Sequence, residues 1–200
     1  MTLLSITNSL ARNVGLEETT QVIGSNRREL EEVVDYCNKV GEELARRVDF
    51  GALHEVVTLT GDATNKKFDL GTNFSRISSG IAVTYSTSVV RPLTQAEWAS
   101  LVPVVGSPRY FLLEGNKLTL WPYLTDSAFV TVQTQSKAWC SNGTAAWSAD
   151  DETSLIDEDL MLKGLIVRWR RQKGMDYADY EAEFEADLAD IARFDDRSRL

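Results

Sequence analysis

His54 is the single histidine of the 200-residue chain. A Ser-His-Asp or Cys-His relay would have to run through it, and no GxSxG elbow stands near to supply a nucleophile. It opens a strand pattern, where an imidazole is structural or lies at the surface, because catalysis needs a constellation of groups rather than one residue type. No GxGxxG, GxxxxGK[ST] or HExxH occurs, so nucleotide binding and zinc proteolysis have no basis in the sequence. Cys37 and Cys140 stand far apart without a CxxC partner, a pattern of two reduced thiols rather than a disulfide or zinc site. The acidic run "SADDETSLIDEDL" offers oxygen ligands to a hard cation but lacks the ordered alternation and glycine of a calcium loop, and helix capping explains it better. The chain therefore reads as noncatalytic, with no metal and no cofactor.

Cations are the other chemical resource. Lys163, Arg168, Arg170 and Arg171 cover the helical arc opposite Leu162, Leu165 and Trp169, with Lys173 at its edge. Such a cluster could hold phosphates, which makes a nucleic-acid-binding module using residues 168–173 the alternative function. The same pattern also describes a solvated helix face whose C-terminal cations offset the helix dipole. Composition favours the second reading: 21 Lys and Arg against 30 Asp and Glu leave a net charge of −9, and the long-range field repels polyanions and anionic membranes. Among five tryptophans, Trp98, Trp121 and Trp169 fall on apolar helical or strand positions expected in a core, while Trp139 and Trp147 lie in or beside a loop and stay open.

The elements that would position these residues are legible from periodicity. Leu3, Ile6, Leu10 and Val14 predict a short helix over 3–14, stopped by Gly15. Residues 26–49 carry the longest helical pattern, with Ser25 or Asn26 as its cap. From about residue 53 the period falls to 2, and "LHEVVTLT", "KKFDL", "GIAVTYS", "RYFLL", "KLTLW" and "FVTVQTQS" read as strands. Glu114-Gly115-Asn116-Lys117 predicts a primed hairpin turn, and Thr94 with Glu97 a capping box. A helix over 157–173 follows, ended by Gly174, and a last helix capped by Asp176 reaches about 193. The fold class expected is α+β: a four-helix bundle from both chain ends, residues 1–50 with 150–200, and a β-rich insertion, a sheet or small sandwich, over 51–149. The first residues have neither a basic leader nor a long apolar run, so neither signal peptide nor membrane span is expected and folding should take place in cytoplasm.

The last helix pairs two stripes. Tyr177, Tyr180, Phe184, Leu188 and Ile191 form an apolar face, and Ala178, Ala182, Ala186 and Ala189 a small-residue face that would let another backbone approach, the candidate contact with a neighbouring subunit. Beyond it "RFDDRSRL" has charges but no continuing apolar face, and should order only against a partner.

Three blocks in fixed order carry a family likeness: "LLSITNSLARNVGL" followed by "LEEVVDYCNKVGEELARRVDFGAL"; "RPLTQAEWASL" leading into "GSPRYFLLEGNKLTLWP"; and "LIDEDLMLKGLIVRWRRQKGMDYADYEAEFEADL". Together they resemble the head-to-tail connector, or adaptor, proteins of tailed bacteriophages, of the tail tubular protein A kind, over nearly the whole chain. The resemblance implies a noncatalytic virion component at the neck: a homo-oligomeric ring, typically a dodecamer, docked under the portal protein and joined to a downstream tail or nozzle protein, with double-stranded DNA passing through its channel. On that likeness the alanine stripe would meet a neighbour, and Phe194, Arg197, Arg199 and Leu200 of the C-terminal segment would touch portal or neighbour. A mostly negative lumen would keep the duplex from sticking.

Overall fold

The computed structural model describes residues 2–62, 65–80 and 82–197, with the side chains of 194–197 outside the described set. The chain forms two compact units, Met1–Leu53 with Lys137–Leu200, and His54–Ser136.

The first unit is helical: α1 (Leu3–Val14), α2 (Arg28–Arg47), α4 (Glu158–Gln172) and α5 (Ala178–Arg197). Thr2 caps α1 by accepting from Ser5 N–H, and Gly15 ends it with φ 77°. The first amides of α1, which have no partner within the helix, donate to the carbonyls of Glu152 and Asp150, both at 3.1 Å. Neither Ser25 nor Asn26 caps α2; its N-cap is Arg27, without a side-chain bond, and Glu29 and Glu31 meet the positive end of the helix instead. Asp157 caps α4 through Leu160 N–H at 3.0 Å, and Gly174 turns the corner to α5 with φ 67°.

The expected four-helix bundle is corrected here. In such a bundle each helix meets two neighbours around a shared axis, whereas α4 is itself the helix on which α1, α2 and α5 all pack. Gly164 shows why: a Cβ there would lie 2.8 Å from Val40 Cγ1 of α2 and 3.1 Å from Phe184 Cε2 of α5, so both helices lean on α4 at the residue with no side chain. A loop fills much of the remaining core. Trp139 and Trp147 are buried and meet edge to face with centroids 5.3 Å apart. The Trp139 indole occupies the space that a Cβ on Gly41 of α2 would need. Among the described residues the fold is α+β with five α-helices and two sheets, the fifth helix being a short one in the other unit.

The described residues of the second unit form nine strands in two sheets around one core. One sheet has the order β1 (His54–Thr60), β9 (Phe129–Ser136), β4 (Val83–Tyr85), β5 (Ser88–Val89), with β3 (Phe74–Ile77) also on β9. The other runs β2 (Lys67–Asp69), β8 (Lys117–Trp121), β7 (Tyr110–Glu114), β6 (Arg91–Pro92). Leu59, Val83, Val130 and Val132 of the first sheet and Phe111, Leu118 and Leu120 of the second supply the buried interior. Gly115, with φ 64°, makes the β7–β8 turn and sets Glu114 opposite Lys117. The capping box of Thr94 and Glu97 opens α3 (Gln95–Ala99).

Candidate functional site

The α5 helix presents two different faces. Phe184 and Leu188 are buried against the core, with Tyr177 and Ile191 partly covered beside them. Complete burial of a side chain of this size contributes about 1.5–3 kcal/mol, which fixes the rotation of the helix. Ala178, Ala182, Ala186 and Ala189 are consequently all exposed. Tyr180 does not join the apolar face: it is 41% exposed, and the Arg170 guanidinium lies over its ring at 4.2 Å.

The basic face of α4 is not a free solvated surface. Lys163 bridges to Asp159 at 3.1 Å and to Glu183 of α5 at 2.9 Å, and also pairs with Asp187. These hydrogen bonds, Asp187 first, raise its pKa against the opposing effect of burial. Arg168 reaches Glu43 of α2 at 3.3 Å, and Glu43 also holds Arg47. Arg47 in turn forks onto Glu185 of α5, at 2.8 and 2.5 Å, which lowers the Glu185 carboxyl pKa against partial burial. Arg170 Nε donates to the Asp176 carbonyl at 2.7 Å. Arg171 pairs with Glu181 at 3.7 Å and lies over Tyr177 at 5.1 Å. Lys173 binds Glu32 at 2.5 Å and holds its pKa low. Every cation proposed for phosphate contact thus faces an acid or an aromatic ring of its own unit, so a nucleic-acid site on this helix would first have to break those pairs.

The acidic loop is internal stitching. Asp150 accepts from Val22 N–H at 2.9 Å and Ile23 N–H at 2.7 Å. Burial would raise the Glu152 pKa, but hydrogen bonds from the Ser148 amide and hydroxyl, Ala149 and Asn142 outweigh it and the net shift is downward. Side-chain helix capping therefore describes Asp157, whereas Asp150 and Glu152 serve the start of α1 through their backbone carbonyls. No group of His, Cys, Asp and Glu among the described residues is arranged to hold a metal. Cys37 and Cys140 are buried free thiols pushed by that burial to about 12, where no reactive thiolate is populated at neutral pH. His54 begins β1, partly exposed. No helix among the described residues is long and apolar enough to cross a membrane.

The tryptophans reverse the expected assignment in part. Trp169 is buried as expected, but Trp98 and Trp121 are only half-buried, while Trp139 and Trp147 form the core of the helical unit. Trp121 instead pins a surface loop, its Nε1–H donating to the Val102 carbonyl at 2.8 Å. Tyr123 N–H bonds Val104 at 2.9 Å in the same loop, leaving Val102, Val104 and Val105 exposed at 76%, 47% and 53%. Sequence reading missed this apolar loop; its signal is the uncharged run "ASLVPVVGSP". Of the C-terminal candidates, Phe194, Arg197, Arg199 and Leu200 lie outside the residues whose side chains are described.

No curated protein matches the sequence. The profile of the family described as SU10 adaptor protein matches residues 1–200, the full length of the chain. A match over the whole length carries the family's role, that of a structural adaptor of a phage virion: the chain belongs to the SU10 adaptor protein family.

Proposed function

We propose that the chain is a head-to-tail connector of the tail tubular protein A kind, a homo-oligomeric ring that docks under the portal, joins capsid to tail and surrounds part of the DNA path. The observation that carries the ring reading is the exposed stripe Ala178, Ala182, Ala186 and Ala189, on a helix whose opposite face is locked by Phe184, Leu188 and the Lys163 and Arg47 ion pairs. A face of small side chains held in fixed orientation allows the close backbone approach that helix packing between subunits uses. The C-terminal residues from Phe194 onward are assigned to portal or neighbour contact. The twelvefold symmetry, the downstream tail partner and the negative lumen belong to the same proposal, which the net charge of −9 supports for the lumen. Imaging the full chain with and without its portal tests it: rings of uniform diameter are expected, and monomers or irregular aggregates on the portal would contradict it.

A further inference from the structure

A strand at the margin of a sheet exposes a row of backbone donors and acceptors, and folded proteins blunt such edges by shortness, charge, proline or a bulge. Four of the five marginal strands described in the β unit carry one of these devices. β2 has three residues and begins with Lys67; β5 has two; β6 is Arg91–Pro92; β3 carries Arg76 and a register shift between Phe74 and Arg76. β1 differs. It runs seven residues in unbroken register with β9, from His54 opposite Gln135 to Thr60 opposite Phe129, and no described strand pairs with its other side. Its one acid, Glu55, stands near the first residue, and Val56–Thr60 hold no charge, no proline and no bulge. At about 3.3 Å per residue the open edge is some 23 Å long.

The sheet face beside that edge is also unusual. Thr58, Thr131, Thr84 and Val89 lie opposite one another across four strands and so share one face, with Val56 and Phe129 in the flanking rows. Val56 is 58% exposed, Phe129 56% and Val89 46%, and none of these six side chains can ionise. An unprotected edge calls for an extended strand, and the uncharged face beside it selects among the chains that could supply one. A partner recognised by charge would be met by complementary charges, which are absent from these six positions; the ionisable groups on that face, His54 and Arg76, stand together in the row of Gln135. A second copy of a chain of net charge −9 is repelled over most of its surface, and approaches at least electrostatic cost across a neutral patch.

We infer that β1 is a contact between copies: a second copy lays an extended segment along the β1 edge and continues the sheet, covering Val56 and Phe129. This deepens the proposed ring and rests on it for the number of copies. The test is sedimentation of the full chain over a concentration series, alone and with portal, with hydrogen exchange followed on residues 54–60. On assembly the β1 amides that point away from β9 should slow by about tenfold or more, as newly paired edge amides do. Val56→Lys with Thr58→Lys should abolish both the slowing and the assembly while β9 protection and the melting temperature hold; Val56→Thr should still assemble. Assembly of the double lysine variant at the wild-type concentration would overturn the inference, as would a chain that stays monomeric throughout. Rings in which β1 exchanges as fast as in the monomer would remove this contact and leave the ring reading intact. Dimers that depend on β1 but never form rings on the portal would do the reverse.

Discussion

In the helical unit the charged side chains turn inward along the surface: Lys163, Arg168, Arg47 and Lys173 each tie one helix to another, and the alanine face of α5 is what they leave uncovered. In the β unit seven large apolar side chains, Val56, Val89, Val102, Val104, Val105, Leu113 and Phe129, are exposed among its charged ones. Isolated exposed hydrophobics are ordinary, but neighbouring ones held on rigid backbone mark interaction surfaces. The contrast separates two ways of offering a contact. Helix packing asks for small side chains and close backbones, and strand pairing for an open edge with a neutral face.

The two units should separate most clearly when the core of the helical unit is emptied. Trp139→Ala empties a fully buried site against Gly41 and should cost about 3–5 kcal/mol. Helical circular dichroism should melt earlier while the β9 amides keep their protection; equal loss in both units would show that they do not stand separately. Gly164→Ala is the next largest. Overpacking against Val40 and Phe184 costs about 1–3 kcal/mol, partly offset by about 1 kcal/mol from the better helix former. A net loss is expected in a thermal melt, and a gain would mean that α2 and α5 can move apart freely.

Acid sharpens the contrast more gently. Glu185, held by Arg47, Glu32, held by Lys173, and Glu152, held within its loop, all have lowered folded pKa values. For such groups the added stability is present above the unfolded carboxyl value of about 4.3 and is lost as pH falls through the folded value. The melting temperature of the helical unit should therefore fall modestly as pH drops below about 4, since these carboxylates are at least partly exposed to solvent. In the β unit the corresponding carboxylate is Glu97, lowered by the Thr94 amide and hydroxyl, and it holds only the start of α3. An acid titration in which β9 loses protection first would reverse the expectation.

Local rules reached the local features. The Gly15 stop, the Thr94 box and the Gly115 turn each depend on residues within a few positions of one another. What escaped depends on distant partners. Glu43 lies 125 positions from Arg168, and Asp150 lies 128 from the Val22 amide, so helical periodicity shows a cation without showing its acid. The same limit explains the tryptophans: Trp139 enters the core because Gly41 has no side chain, a complement visible only once the chain has folded. β3, β5 and β6, of two to four residues, are too short for alternation to register. The alanine stripe was legible, since helical spacing alone places it opposite Phe184 and Leu188. The edge position of β1 was not, because it depends on which described strands pair with it across the fold.

The α5 face is tested most directly by the assembly of Ala182→Arg with Ala186→Arg on the portal. Both positions are exposed, so the monomer's stability should stay within about 0.5 kcal/mol of wild type. Wild-type chain should form uniform rings on the portal in electron micrographs and the double variant none. Rings of normal size from a well-folded double variant would contradict the assignment of the α5 face as the contact between subunits.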